Sequence, residues 1–236
     1  MTAPSRTIPM TADPSLSPSA GAVVSTAADI SRLIRPRIAV MVLATVATAA
    51  WLTAGRNLDT QGLAVVLVGT LLVAASSSIA NQIVERHTDR HMPRTANRPL
   101  VTGRLGVRDA WILSGGLLVV GLAITIAGGG WSASAASLAT WLLYVVVYTP
   151  LKRVTPLNTA VGAVAGALPV AIGWFAAGGP GRLLAGDAAG GIAVGSLATV
   201  LYLWQFPHFM AIAWLYRRQY SCLLYTSPSP RDQRGS

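Results

Sequence analysis

Residues 62–89 read GLAVVLVGTLLVAASSSIANQIVERHTD. From Gly62 to Val84 no side chain is charged, a length sufficient to cross a bilayer core, for which about 20 helical residues are needed. Asn81 stands near the end of that run, and Glu85 and Asp89 follow directly. At the helical period, the spacing i, i+4, i+8 drifts by only about 80°, so three oxygen-bearing side chains line one face. A carboxylate at such depth is costly unless it is paired, ligated or open to a wet cavity. The stretch therefore predicts a membrane-crossing helix that ends in a polar site.

The rest of the chain repeats the apolar pattern. Six spans are predicted, at roughly 36–54, 62–84, 109–127, 131–150, 158–178 and 188–213. Of 236 residues 53% are hydrophobic and only 11% charged, against about 25% charged in soluble domains, which excludes a soluble globular protein. Eighteen Lys and Arg against eight Asp and Glu give a net charge of +10, but the basic residues sit between long apolar runs, which argues against nucleic-acid binding. The single cysteine, Cys222, excludes an internal disulfide framework and a cysteine zinc site. Glycines at 115, 116, 162, 166 and 173 are expected to let helix backbones approach closely. The fold class is thus an all-α integral membrane bundle.

Basic residues concentrate in alternate connections: Arg32, Arg35 and Arg37 before span one, Arg86 to Arg108 after span two, Lys152 and Arg153 after span four, Arg217 and Arg218 after span six. The opposite connections hold only Arg56 and Arg182, which predicts a cytoplasmic N-terminus. Residues 1–30, rich in Ser, Thr, Ala and Pro and without a signal-peptide pattern, are expected to form a disordered tail. Residues 222–232, CLLYTSPSPRD, resemble the in-frame translation of a transposon-type sequencing adapter. Residues 222–236 are accordingly set apart from the functional reading.

Hard oxygen donors in a row, as at Asn81, Glu85 and Asp89, suit Mg²⁺, which is commonly completed by substrate phosphates. Arg94 and Arg98 are placed to fork onto phosphate oxygens. The plainer alternative is a solvated loop whose acids pair with its arginines. In the second cluster, Tyr148 to Asn158, Lys152 and Arg153 suit a departing diphosphate and Asn158 an oxygen to be oriented, although Lys152 and Arg153 alone also serve as topology signals. In the third, His208 follows Pro207 inside an apolar run, fitting either a haem or polar substrate edge or an interhelical hydrogen bond. His87 and His91 lack a third ligand for a zinc site.

Taken in this order, the three clusters resemble the UbiA superfamily of intramembrane prenyltransferases. The pattern N-x-x-x-E-x-x-x-D-x-x-M-x-R-T-x-x-R-P from Asn81 to Pro99 is most similar to the branch that farnesylates protohaem IX. Supporting segments are Arg35-Pro-Arg37-Ile38, Lys152-Arg153 with Thr155 and Asn158, Gly173-Trp174 and Pro207-His208-Phe209. The resemblance implies nine helices around a cavity open to lipid, of which residues 31–221 carry about six. It implies that Asn81, Glu85 and Asp89 are the catalytic first motif holding Mg²⁺, and that Arg37, Arg94, Arg98, Lys152, Arg153, Asn158 and His208 bind substrate. A second acidic motif is expected near Tyr216–Tyr220, where Gln219 stands in place of the family's frequent Asp. The 236-residue polypeptide is therefore expected to be inactive.

The implied substrates are farnesyl diphosphate and haem B, with haem O as product, in a bacterial inner membrane. Haem A synthase or oxidase assembly proteins are the implied partners. The alternatives are prenylation of a quinone precursor, or a transporter fragment, which would carry ionisable residues at the bilayer midplane rather than at one interface.

Overall fold

The computed structural model describes residues 27–91, 95–151, 155 and 157–215. Arg94, Lys152 and Arg153, and the stretch 216–236 with the expected second motif and the adapter-like run, lie outside the described residues. All regular elements among the described residues are helical: α1 (Ala27–Ile34), α2 (Pro36–Ala54), α3 (Thr60–Asp89), α4 (Val107–Leu142), α5 (Thr149–Leu151), α6 (Asn158–Ala167), α7 (Pro169–Ala176), α8 (Gly179–Leu184) and α9 (Ala188–Leu215).

Five stretches are long and apolar enough to cross a membrane: Pro36–Asn57, Thr60–Asp89, Val107–Leu151, Asn158–Ala176 and Ala188–Ile212. The chain is a multi-pass membrane protein. The third stretch, at 45 residues, would measure about 68 Å as one rod, twice the bilayer core. Instead it breaks at Gly130, where φ is 77° and ψ 179°, a conformation glycine tolerates and other residues do not. The Ser134 hydroxyl donates to the Leu122 carbonyl at 3.1 Å across the break, so the arms 107–129 and 131–151 lie side by side. They correspond to the third and fourth of the six expected spans.

Local chemistry sets the helix ends. Asp59 caps α3, its Oδ1 accepting from the backbone N–H groups of Gln61 and Gly62 at 3.1 Å each. Thirty residues of α3 extend about 45 Å, longer than the ~30 Å hydrocarbon core, so its final turns, with Glu85 and Asp89, emerge at the interface. Pro36 starts α2, and the residue before it, Arg35, adopts φ 54°, ψ 66°. The disordered tail expected over 1–30 is corrected in part: α1 already begins at Ala27 and buries Asp29, because that helix docks against the domain.

The tightest packing joins α3 to the first arm of α4. A methyl group on Gly121 would stand 2.9 Å from the Gly69 carbonyl, and one on Gly128 2.7 Å from the Gly62 carbonyl. These backbones touch because nothing separates them, the arrangement that drives association in lipid. Gly115 and Gly116, expected to serve this purpose, face open space, where a methyl group would meet no atom within 4 Å, because they lie on the other side of the helix. Deeper still, Ser76 and Ser114 exchange hydroxyl-to-carbonyl hydrogen bonds of 2.8 and 3.0 Å, and the Trp141 indole donates to Ser76 Oγ at 3.0 Å. Val46, Val66, Ala136 and Ile172 close the core between α2, α3, α4 and α7.

Candidate functional site

The C-terminal turns of α3 carry the expected row. Asn81 is fully buried, Asp89 is buried and Glu85 is half-buried. The Asn81 amide donates to Glu85 Oε2 at 2.7 Å, one helical turn on. Its carbonyl oxygen faces the Thr149 hydroxyl at 3.0 Å, and that hydroxyl also lies 2.8 Å from the Tyr144 carbonyl. The row is thereby tied to the second arm of α4 and its continuation. There Leu143–Tyr148 winds as a π turn, with the Thr149 N–H reaching back five residues to the Tyr144 carbonyl. Such widened turns are frequent at functional sites, and this one brings Tyr144 and Thr149 to α3.

Asp89 Oδ2 is paired with Arg98 Nη1, both side chains largely buried. The Thr95 hydroxyl donates to the Asp89 carbonyl at 2.9 Å, so the loop after α3 folds back over its own helix end. Burial holds the Arg98 guanidinium below its ordinary pKa, and the positive charge of Arg35 nearby adds to this, while Asp89 pulls the other way. Arg35 also lies close enough to the Tyr144 phenol for its charge to act there. Two carboxylates and two guanidinium groups, with a phenol and an amide beside them, therefore gather at the interface end of an otherwise apolar bundle.

Among the described residues, no three of His, Cys, Asp and Glu converge into a closed cage. The donor set on α3 is two carboxylates and one amide, all hard oxygen donors, which fits a Mg²⁺ ion that takes its remaining ligands from phosphates and water. Asn81 as placed orients Glu85 and Thr149, so the carboxylates of the row are Glu85, which accepts from Asn81, and Asp89, which is paired with Arg98.

The other expected residues are distributed unevenly. Arg98 is in the site. Arg37 is exposed, and the arginine brought to Tyr144 is Arg35, two positions earlier. Asn158 is half-buried at the start of α6, its Oδ1 facing the Thr159 hydroxyl at 3.4 Å. His208 is exposed on α9, stacked near Trp204 with ring centroids 6.4 Å apart, and its neighbour Phe209 stacks on Tyr148 at 6.2 Å. Tyr148 stacks on Tyr144 at 5.5 Å, so a row of rings connects the α3 site to α9. Sequence reading missed Arg35 as a site residue, although the proline after it signals a break that redirects its side chain. It also missed Gln82, which is fully buried and donates to the carbonyls of Arg32 and Leu33 at 3.2 and 2.9 Å.

The profile described as the UbiA prenyltransferase family matches residues 42–222, which contain the α3 row, Arg98, Tyr144 and Thr149. The chain belongs to the UbiA prenyltransferase family. Within it, the chain is 44% identical over 194 residues to a protoheme IX farnesyltransferase of Rhodopirellula baltica, covering 80% of this chain and 63% of that protein. It is 36% identical to the protoheme IX farnesyltransferase of Koribacter versatilis, over 84% of this chain and 62% of that one. The mitochondrial protoheme IX farnesyltransferase of Arabidopsis thaliana is 37% identical, over 86% of this chain and 45% of that one. The chain thus spans about three fifths of the length of the bacterial relatives. A solved UbiA homolog from Archaeoglobus fulgidus, bound to DMAPP and Mg²⁺, shares the fold with a TM-score of 0.61 at 20% identity, over 81% of this chain and 66% of that one. Likeness to transferases does not favour the transporter alternative.

Proposed function

We propose that this chain carries the diphosphate-binding half of a protoheme IX farnesyltransferase site, in which a farnesyl group passes from farnesyl diphosphate to a vinyl group of protoheme IX. The observation that carries the reading is the α3 row of Asn81, Glu85 and Asp89, faced by Arg98 and by Arg35 with Tyr144, at the interface end of an apolar bundle. The similarity to protoheme IX farnesyltransferases supports the choice of substrates.

In the reaction the vinyl π electrons form the new carbon–carbon bond to C1 of farnesyl as the C1–O bond breaks toward diphosphate. The cation left on the vinyl carbon next to the porphyrin is captured by water, which gives up a proton, so that the product carries a hydroxyl beside the farnesyl group. Leaving-group charge must be stabilised as it develops. Glu85 and Asp89 would hold Mg²⁺, which neutralises phosphate oxygens when bound. Arg98 and Arg35 donate forked hydrogen bonds to the remaining oxygens, and the Tyr144 phenol supplies one more donor. Arg94, Lys152 and Arg153 belong to the same proposal as further phosphate ligands, and Asn158 as an orienting amide. The apolar helices below the row keep water from the allylic carbon while it carries positive charge.

His208 and the ring row Tyr148–Phe209 mark the side from which a planar acceptor would approach. The haem-modifying role further implies haem A synthase or oxidase assembly proteins as partners. The distribution of basic residues supports an N-terminus on the cytoplasmic side of a bacterial inner membrane. The test is a chimera of residues 1–221 followed by the corresponding remainder of the Rhodopirellula baltica relative, given farnesyl diphosphate and protoheme. A haem product heavier by a farnesyl group and a hydroxyl supports the proposal; transfer to a hydroxybenzoate or naphthoate acceptor in its place supports the quinone-precursor alternative.

A further inference from the structure

Helix α1 is held against the site by contacts that span most of the N-terminal half of the chain. Asp29, only 3% exposed, pairs with Arg104 at 2.9 Å, 75 residues away, and with Arg32 at 3.6 Å. Arg104 extends a second donor, Nη2, to the Asn97 carbonyl at 2.9 Å, and Arg32 approaches the same carbonyl at 3.5 Å. Asn97 is one peptide bond from Arg98, the partner of Asp89. An apolar contact supports the same docking independently: Leu33 of α1 and Leu100 of the loop are buried together with Ile79, Ile83 and Ala110. Gln82 fixes the far end of α1 by donating to its last-turn carbonyls, directly before Arg35.

We infer that Asp29 and Arg104 are positioning residues of the diphosphate site, forming a clasp between α1 and the loop 95–104 that sets where Arg98 stands over Asp89. The inference rests on the diphosphate reading above. A planar guanidinium is suited to the task because its fork reaches a carboxylate and a backbone carbonyl at once. Lysine, with its single ammonium, keeps the charge opposite Asp29 but does not reproduce both contacts in that geometry. The carboxylate of Asp29 acts on the site through Arg104 and Asn97.

The test is calorimetric titration of Mg²⁺ with inorganic pyrophosphate into the chain in lipid nanodiscs, with thermal melting followed in parallel. Asp29→Asn and Arg104→Ala are expected to weaken binding about tenfold, equivalent to ~1.4 kcal/mol, with Arg104→Lys intermediate. Arg108→Ala removes one exposed positive charge from the same rim and is expected to bind as the parent does. Lowered melting temperatures with unchanged affinity in Asp29→Asn and Arg104→Lys would assign the clasp to stability alone and overturn the inference. Equal weakening by Arg108→Ala would overturn it in favour of bulk charge. A parent chain that binds no Mg²⁺–pyrophosphate would overturn the diphosphate reading and the clasp with it, whereas parent binding with unaffected clasp variants overturns the clasp alone.

Discussion

Arg98 closes on Asp89 from nine residues further along the chain, and both side chains are nearly excluded from solvent. The pair satisfies a carboxylate that α3 carries to the membrane interface, where an uncompensated charge would be costly. It also places a guanidinium beside the carboxylate proposed to meet a cation, so that one end of its fork neutralises Asp89 while the other can reach phosphate.

Breaking that pair from the arginine side leaves a buried charge without its partner. Arg98→Gln is expected to destabilise the protein by about 3–5 kcal/mol, the usual cost of removing one member of a buried ion pair. Thermal melting in detergent, followed by tryptophan fluorescence, measures this. A melt indistinguishable from the parent's would show that Asp89 finds another partner.

Arg35 and Arg37 separate two readings of the N-terminal flank. Arg35 is half-buried with its charge acting on Tyr144, whereas Arg37 is exposed. Arg35→Ala is expected to weaken pyrophosphate binding about tenfold in the presence of Mg²⁺, and Arg37→Ala by less than about twofold. Titration of both variants decides between them, and the reverse ranking would restore the expectation drawn from sequence.

Much of this protein is legible in its sequence because membranes impose simple rules. Length and apolarity locate the spans, and the break between 127 and 131 falls at Gly130, where three consecutive glycines permit a reversal. The i, i+4, i+8 spacing locates Asn81, Glu85 and Asp89. What periodicity does not show is contact between residues far apart in the chain. Asp29 reads as part of a polar tail until Arg104 is placed beside it, and Gln82 reads as a neighbour of Asn81 until α1 is seen to end on it. The misassigned glycines have the same cause: composition marks small residues, but only helix rotation decides that Gly121 and Gly128 face α3 while Gly115 and Gly116 do not.

That rotation has a measurable consequence. Gly121→Val forces side-chain atoms into the α3 backbone and is expected to cost about 1–3 kcal/mol, the range for overpacking. Gly115→Ala meets open space and is expected to be neutral or stabilising by up to about 1 kcal/mol through helix propensity. Unfolding midpoints in mixed micelles provide the comparison; equal loss in both variants would contradict the assigned rotation of α4.

His208 lies exposed beside Trp204, so its removal is expected to leave stability within about 0.5 kcal/mol of the parent, as for most surface changes. If the ring row faces the acceptor, His208→Ala shifts the Soret band of the haem-loaded protein. An unchanged spectrum with a lowered melting temperature would instead assign His208 to packing.

Everything proposed for the reaction depends on the acidic row of α3 holding a prenyl diphosphate through Mg²⁺. Titration of farnesyl diphosphate into the chain in nanodiscs, with Mg²⁺ and with excess chelator, addresses that dependence without requiring turnover. Saturable binding that requires Mg²⁺ and weakens about tenfold or more in Asp89→Asn is expected. Binding of the same strength in chelator, or in Asp89→Asn, would show that the row does not hold the diphosphate.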